Sequence, residues 1–198
     1  MLADLLIYFH LVFVAVGLGI AVRLDILFFL GRNVRPGQVL LADTAFSHRM
    51  ISTAVLGLWG SGLGLVYVRT GFVLDEFSPK LWMKLLIVTS LSVNAIFIGT
   101  YVMPMMERFK DRPVLAIPLK FRLPMAISAA TSVFCWFTAL ALGSMTMLQA
   151  QPWDILVSVI AIEYAFGLFV AISIAVWVRV PQQAAPAHDT SGVQMHKV

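Results

Sequence analysis

The sequence predicts an all-α, polytopic membrane protein: a bundle of five transmembrane helices with the N-terminus outside and the C-terminus inside. Three observations lead there. Of the 198 residues, 60% are hydrophobic and 12% charged, against about a quarter charged in soluble domains, and the mean hydropathy is +0.91. The apolar residues gather into five stretches near or above the roughly 20 residues that an α-helix needs to cross the hydrocarbon. The Lys and Arg residues fall unevenly between the two sides that five spans create. Arg23, Arg32, Arg35, Arg49, Arg108, Lys110, Arg112, Lys120, Arg122, Arg179 and Lys197 lie on the side of the C-terminus, and Arg69, Lys80 and Lys84 on the other. Eleven against three places the richer side inside.

The same numbers exclude other classes. The net charge of +4 and pI near 9.5 do not indicate nucleic acid, because the basic residues flank apolar segments where topology already requires them. One cysteine, Cys135, permits neither an internal disulfide nor a thiolate metal cluster and is expected to be a small core residue. No phosphate loop, hydrolase elbow, zinc motif or pair of catalytic carboxylates occurs. The loops are too short to house an enzyme, so any chemistry belongs inside the bundle.

Helix 1 is expected over about 5–30, LLIYFHLVFVAVGLGIAVRLDILFFL. Without a basic flank ahead of it, and with an apolar run too long for a signal peptide, it is expected to stay attached. His10 lies about a turn and a half inside one end, and Arg23 and Asp25 sit at the other as an interfacial charge pair or a solvated end. At about 100° per residue, Gly17 and Ala21 share the face of His10, which leaves room for another helix or a flat ligand.

Pro36 and Gly37 break the pattern, and Val39 to Phe46 form a short interfacial helix or an early extension of helix 2. Helix 2, about 50–68, carries the small-residue spacings Gly57/Ser61 and Gly60/Gly64, which let backbones approach closely. Helix 3, about 80–103, has Lys84 near its start and Asn94 near its middle. The loop MMERFKDRPVLAIPLKFR precedes helix 4, about 124–148, with Pro124 in its first turn. Helix 5, about 153–178, has Glu163 near the midplane. Residues 1–180 thus form one transmembrane domain. The tail 181–198, with His188 and His196, is small, polar and proline-bearing, and is expected to be a disordered cytoplasmic extension.

His10, Lys84 and Glu163 are the candidate site residues, because intramembrane ionisable groups are functional hypotheses by default. His10 and Lys84 lie at the outer ends of their helices and can face one cavity. His48 stands about a membrane thickness away, so it cannot share a metal with His10. A single axial His10, or one imidazole from each of two protomers, suits a haem. The plain alternatives are a His10 bonded to a neighbouring helix and a Lys84 snorkelling to the headgroups. For Glu163 the alternative to a proton relay is a neutral carboxyl bonded to Asn94, Ser92 or the backbone of helix 2. Methionines occur at both ends but without the repeated spacing of a copper site.

The segments YFHLVFVAVGLGIAVRLDILFF, HRMISTAVLGLWGSGLGLVY, LWMKLLIV and FRLPMAISAATSVFCWF, in that order, resemble the bacterial membrane-embedded, haem-containing protoporphyrinogen IX oxidase family and the related copper-resistance D-type membrane proteins. The likeness covers about Leu5 to Leu148. It implies a haem b held by His10, a functional role for Lys84, oxidation of a tetrapyrrole or quinone-like substrate, and a bacterial inner membrane. Gly17 departs from the pattern, which has a tryptophan after the histidine, and Glu163 has no counterpart in it. Two other functions compete: a small permease or carrier, from the Gly-rich helix 2 and midplane Glu163, and a non-catalytic subunit or assembly factor. The partners expected are the lipid bilayer and a second copy or a larger membrane complex, with no nucleic acid.

Overall fold

The computed structural model describes residues 1–31, 37–149 and 151–177. Among these there is no strand, and five helices are long and apolar enough to span a membrane: α1 (Leu2–Gly31), α2 (Gly37–Thr70), α3 (Pro79–Arg108), α4 (Leu119–Ser144) and α5 (Trp153–Trp177). The number and order of spans are those expected, and large apolar side chains cover the outer faces. In water such a surface would aggregate; a lipid bilayer solvates it. The expected tail 181–198 lies outside the described residues, as do Arg32, Arg35, Pro36 and Arg179.

The helix ends differ from expectation for local reasons. α2 starts at Gly37, whose φ of +62° suits glycine, and runs through Val39 to Phe46 without a break, so this stretch extends the span. A bidentate pair holds the extension to α1: Arg23 donates to both oxygens of Asp43, at 2.9 and 3.3 Å. Arg23 therefore pairs with α2 and not with Asp25.

α2 ends where Gly71 turns left-handed and its N–H returns to the Tyr67 carbonyl at 2.9 Å. α3 opens with Ser78 capping Leu81 N–H at 3.3 Å and Pro79 in the first turn. It then continues past Met103 to Arg108. Pro104 has no N–H for the carbonyl four residues back, and the helix widens to a π turn over Ile98–Val102 just ahead of it.

α4 begins five residues before the expected Pro124, with Arg122 N–H on the Pro118 carbonyl at 3.1 Å, so Pro124 sits inside the helix. Its C-terminal end stops at Ser144, and Thr146–Gln149 form a 3₁₀ turn.

The bundle is assembled by side chains entering the gaps that small residues leave. Phe13 lies over Gly57 and Leu6 over Gly64, which joins α1 to α2. Gly60, the other half of the expected Gly60/Gly64 pair, has nothing against it. On the next face of α1, the ring of Trp136 from α4 covers Gly17. Trp136, Cys135, Leu58, Leu91, Met83 and Ile87 form the centre of the core, with Cys135 buried as expected.

Polar pairs stitch the remaining neighbours. Trp59 Nε1 donates to Ser92 Oγ at 2.9 Å between α2 and α3, and Asn94 and Ser128 bond reciprocally, at 3.0 and 2.9 Å, between α3 and α4. Thr131 and Tyr164 join hydroxyls at 2.9 Å between α4 and α5. Each bond of this type is worth only about 0.6 kcal/mol in a membrane, so together they set register more than they hold the bundle.

Candidate functional site at His10

His10 is half-buried where α1 crosses α2. Its Nδ1 lies 2.9 Å from Ser61 Oγ, and its ring passes above Gly62, where a Cβ would stand 3.5 Å from Cε1. Ser61 is buried and donates its own proton to the Gly57 carbonyl, one turn earlier, at 2.7 Å. In that arrangement the oxygen that faces His10 accepts, and the ring's hydrogen sits on Nδ1. That leaves the lone pair of the neutral imidazole on Nε2. Fixing the tautomer through the second nitrogen is how proteins prepare a histidine to ligate.

The neighbourhood is basic. Lys84 of α3 stands within electrostatic range of His10, and Lys80 and Arg69 within range of Lys84. Lys84 is half-buried and, among the described residues, makes no hydrogen bond or ion pair. Lys80 does: it is 6% exposed and its Nζ donates to the Met145 carbonyl at 2.9 Å. A cation at that place closes the C-terminal end of α4, where helix carbonyls lack partners. Lys84 alone of the two has a head group left for something else.

Glu163 does not join this cluster. It lies exposed on α5, and its Oε2 accepts a long bond of 3.4 Å from Thr138. The partners expected for it are engaged elsewhere, Asn94 by Ser128 and Ser92 by Trp59. Glu163→Gln is accordingly expected to leave the amount of folded protein and any ligand on His10 unchanged, as gel-filtration yield and ligand stoichiometry would register.

Sequence reasoning missed Ser61 as a chemical group, because in the Gly57/Ser61 spacing it served as a small packing residue. Its hydroxyl, the one hydroxyl in the run Ala54–Val66 of α2, was the available signal. The space below His10 resolves in favour of a helix: the indole of Trp136 fills the slot at Gly17. Among the described residues no three His, Cys, Asp or Glu side chains gather to hold a metal ion, so the donor set here is one imidazole. One imidazole nitrogen is a donor of the type a haem iron would take, and His10 is the residue that would hold it.

Compared with protein-family models, curated proteins and solved structures, the chain matches none at a significant level.

Proposed function

We propose that this integral membrane protein is an oxidoreductase that holds haem b through Nε2 of His10 and acts on a tetrapyrrole or quinone-like substrate. The observation that carries the reading is the chain Gly57 carbonyl, Ser61 hydroxyl, His10 Nδ1, which leaves Nε2 as the free donor. Bound there, the haem supplies one-electron redox chemistry. Ser61 orients the imidazole and keeps its proton on Nδ1. Lys84 offers an ammonium without an internal partner to an acidic substituent, in a region where burial strengthens such a pair. Trp136 and Gly17, closed against each other, exclude water from the core beneath the histidine. Glu163, linked toward the interior through the buried Thr138, is the carboxyl near the middle of α5 assigned to carry a proton.

Reduced-minus-oxidised spectra of the protein, purified in a mild detergent from haem-replete cells, test the proposal. A Soret and an α band are expected at near one haem per chain. Their absence under conditions that retain haem in other membrane cytochromes would end it.

The proposal includes an N-out, C-in orientation in a bacterial inner membrane, motivated by the eleven-to-three distribution of basic residues. A reporter that works only in the external compartment, fused after Val198, is expected to stay silent, and the same reporter ahead of Met1 to be active. The reverse pattern would refute the orientation.

A second reading has one observation in its favour. Glu163 is exposed about halfway along an apolar helix, where lipid alone would not solvate a carboxylate. A subunit of a larger complex would cover it. Native mass spectrometry from nanodiscs separates the two: a lone chain with haem supports the first, an obligate hetero-complex without it the second.

A further inference from the structure

We propose that a second ligand site, at the end of the bundle opposite His10, binds a neutral quinone or quinol. A cavity of about 260 Å³ opens there among all five helices, just below the roughly 300–1,000 Å³ usual for small-molecule pockets. His48 and Ser61 are both on α2 and 13 positions apart, about 20 Å by helix rise, so this cavity is not the His10 site and does not depend on haem there.

Its lining is apolar apart from hydroxyls of Thr44, Ser128 and Ser132, the Asn94 amide, and three titratable groups from three helices: Asp25 of α1, His48 of α2 and Arg122 of α4. Asn94 and Ser128 satisfy each other. Among the described residues the Asp25 carboxylate and the His48 ring have no hydrogen bond or ion pair. The His48 ring rests on the π turn of α3, with Nε2 3.0 Å from where a Cβ of Gly99 would stand. Arg122 is committed at its fork, one terminal nitrogen donating to the Leu115 carbonyl and the other to the Ala175 carbonyl at 2.6 Å. Its Nε is buried and, among the described residues, has no partner.

These features select the ligand. With both terminal nitrogens of Arg122 spent on carbonyls and its Nε buried, the guanidinium cannot clamp a carboxylate or phosphate with two bonds. An anion would also face Asp25, and a cation Arg122, at low dielectric. The ligand is therefore neutral. Its body is apolar, against Phe28, Met103 and Met106, and Met side chains adapt to flat rings. Its polar atoms must reach groups on different helices, so they lie apart. An imidazole can give a hydrogen bond to a carbonyl or take one from a hydroxyl, and Asp25 takes one from a hydroxyl. A ring with two opposed oxygens, as carbonyls or as hydroxyls, meets all of these conditions.

The test uses the full chain in nanodiscs and 2-methyl-1,4-naphthoquinone as probe, with binding followed by titration calorimetry. Saturable binding of one quinone per chain is expected. His48→Leu should weaken it about tenfold, the worth of one hydrogen bond in a closed site, and Ala129→Phe, which fills the cavity, should abolish it at an unchanged melting temperature. Uptake that does not saturate, or saturable binding equal in all three proteins, would overturn the proposal. Should either variant fail to fold, an azido-naphthoquinone photolysed on the wild-type protein decides. Label on peptides carrying Phe28, Met103 or Met106, displaced by the parent quinone, supports the site; label elsewhere refutes it. Haem content is read on the same samples, so loss of the haem proposal leaves this result standing.

Discussion

Gly17→Ala is expected to destabilise the protein more than any other single-methyl change in the bundle. A Cβ at this position would lie 2.0 Å from Cη2 and 2.5 Å from Cζ2 of Trp136, whose side chain is fully buried. Real carbon atoms keep about 3.5–4.0 Å apart, so either α1 leaves α4 or the indole leaves its rotamer. Overpacking of this kind costs about 1–3 kcal/mol, and the rigid ring puts this case at the upper end. Trp136→Leu alone should also destabilise, by opening a cavity. The double variant should be more stable than the sum of the two, because the smaller side chain makes room for the methyl. Trp136→Phe should be the mildest change, since among the described residues the buried indole N–H has no partner and its removal leaves nothing unsatisfied. Thermal unfolding in one detergent checks the series. A Gly17→Ala protein with the wild-type melting temperature would mean that α1 and α4 do not meet as described.

His10→Ala is expected to yield folded protein without haem. The bond it deletes, from Nδ1 to Ser61, is worth about 0.6 kcal/mol among intramembrane hydrogen bonds, so the bundle should survive. The ligand it deletes is the sole protein attachment assigned to the iron. Ser61→Ala makes the finer test: the imidazole stays, but its Nδ1–H loses its acceptor and its orientation. Removing such a supporting contact typically weakens metal affinity about 10–100-fold. Haem should therefore remain after purification and be lost faster to a haem scavenger such as apomyoglobin. Lys84→Met keeps the stem and removes the charge, so haem content should hold while turnover of an acidic substrate falls. If His10→Ala lowers the amount of folded protein and leaves the haem-to-protein ratio unchanged, the histidine is structural.

Much of the fold was legible because the bilayer imposes a length and a hydropathy on every span. The ends were less so. Helix 3 was expected to stop at about residue 103 and helix 4 to begin at Pro124, yet a π turn ahead of Pro104 and an α4 start at Leu119 keep both prolines inside helices. That displacement concealed the lower cavity: with α4 begun at Pro124, Arg122 counted as a loop charge, whereas in the helix it reaches Ala175 on α5. Arg23 and Asp25 looked like a pair because they are close in sequence, but two residues on a helix point about 200° apart, and Arg23 found Asp43. His10 and Lys84 were visible as polar groups in apolar surroundings. The tautomer of His10 was not, because it depends on a serine 51 residues away in the chain.

The most direct measurement of the central claim is whether iron in the purified protein is bonded to a nitrogen of His10. Pulsed electron paramagnetic resonance on the ferric protein, from cells fed ¹⁵N-histidine, reads the coupling of an iron-bound imidazole. The account predicts that coupling in the wild type, and its absence from His10→Ala given haem, while His48→Leu keeps it. The same coupling persisting in His10→Ala, or a wild-type protein that carries no haem, would contradict the account.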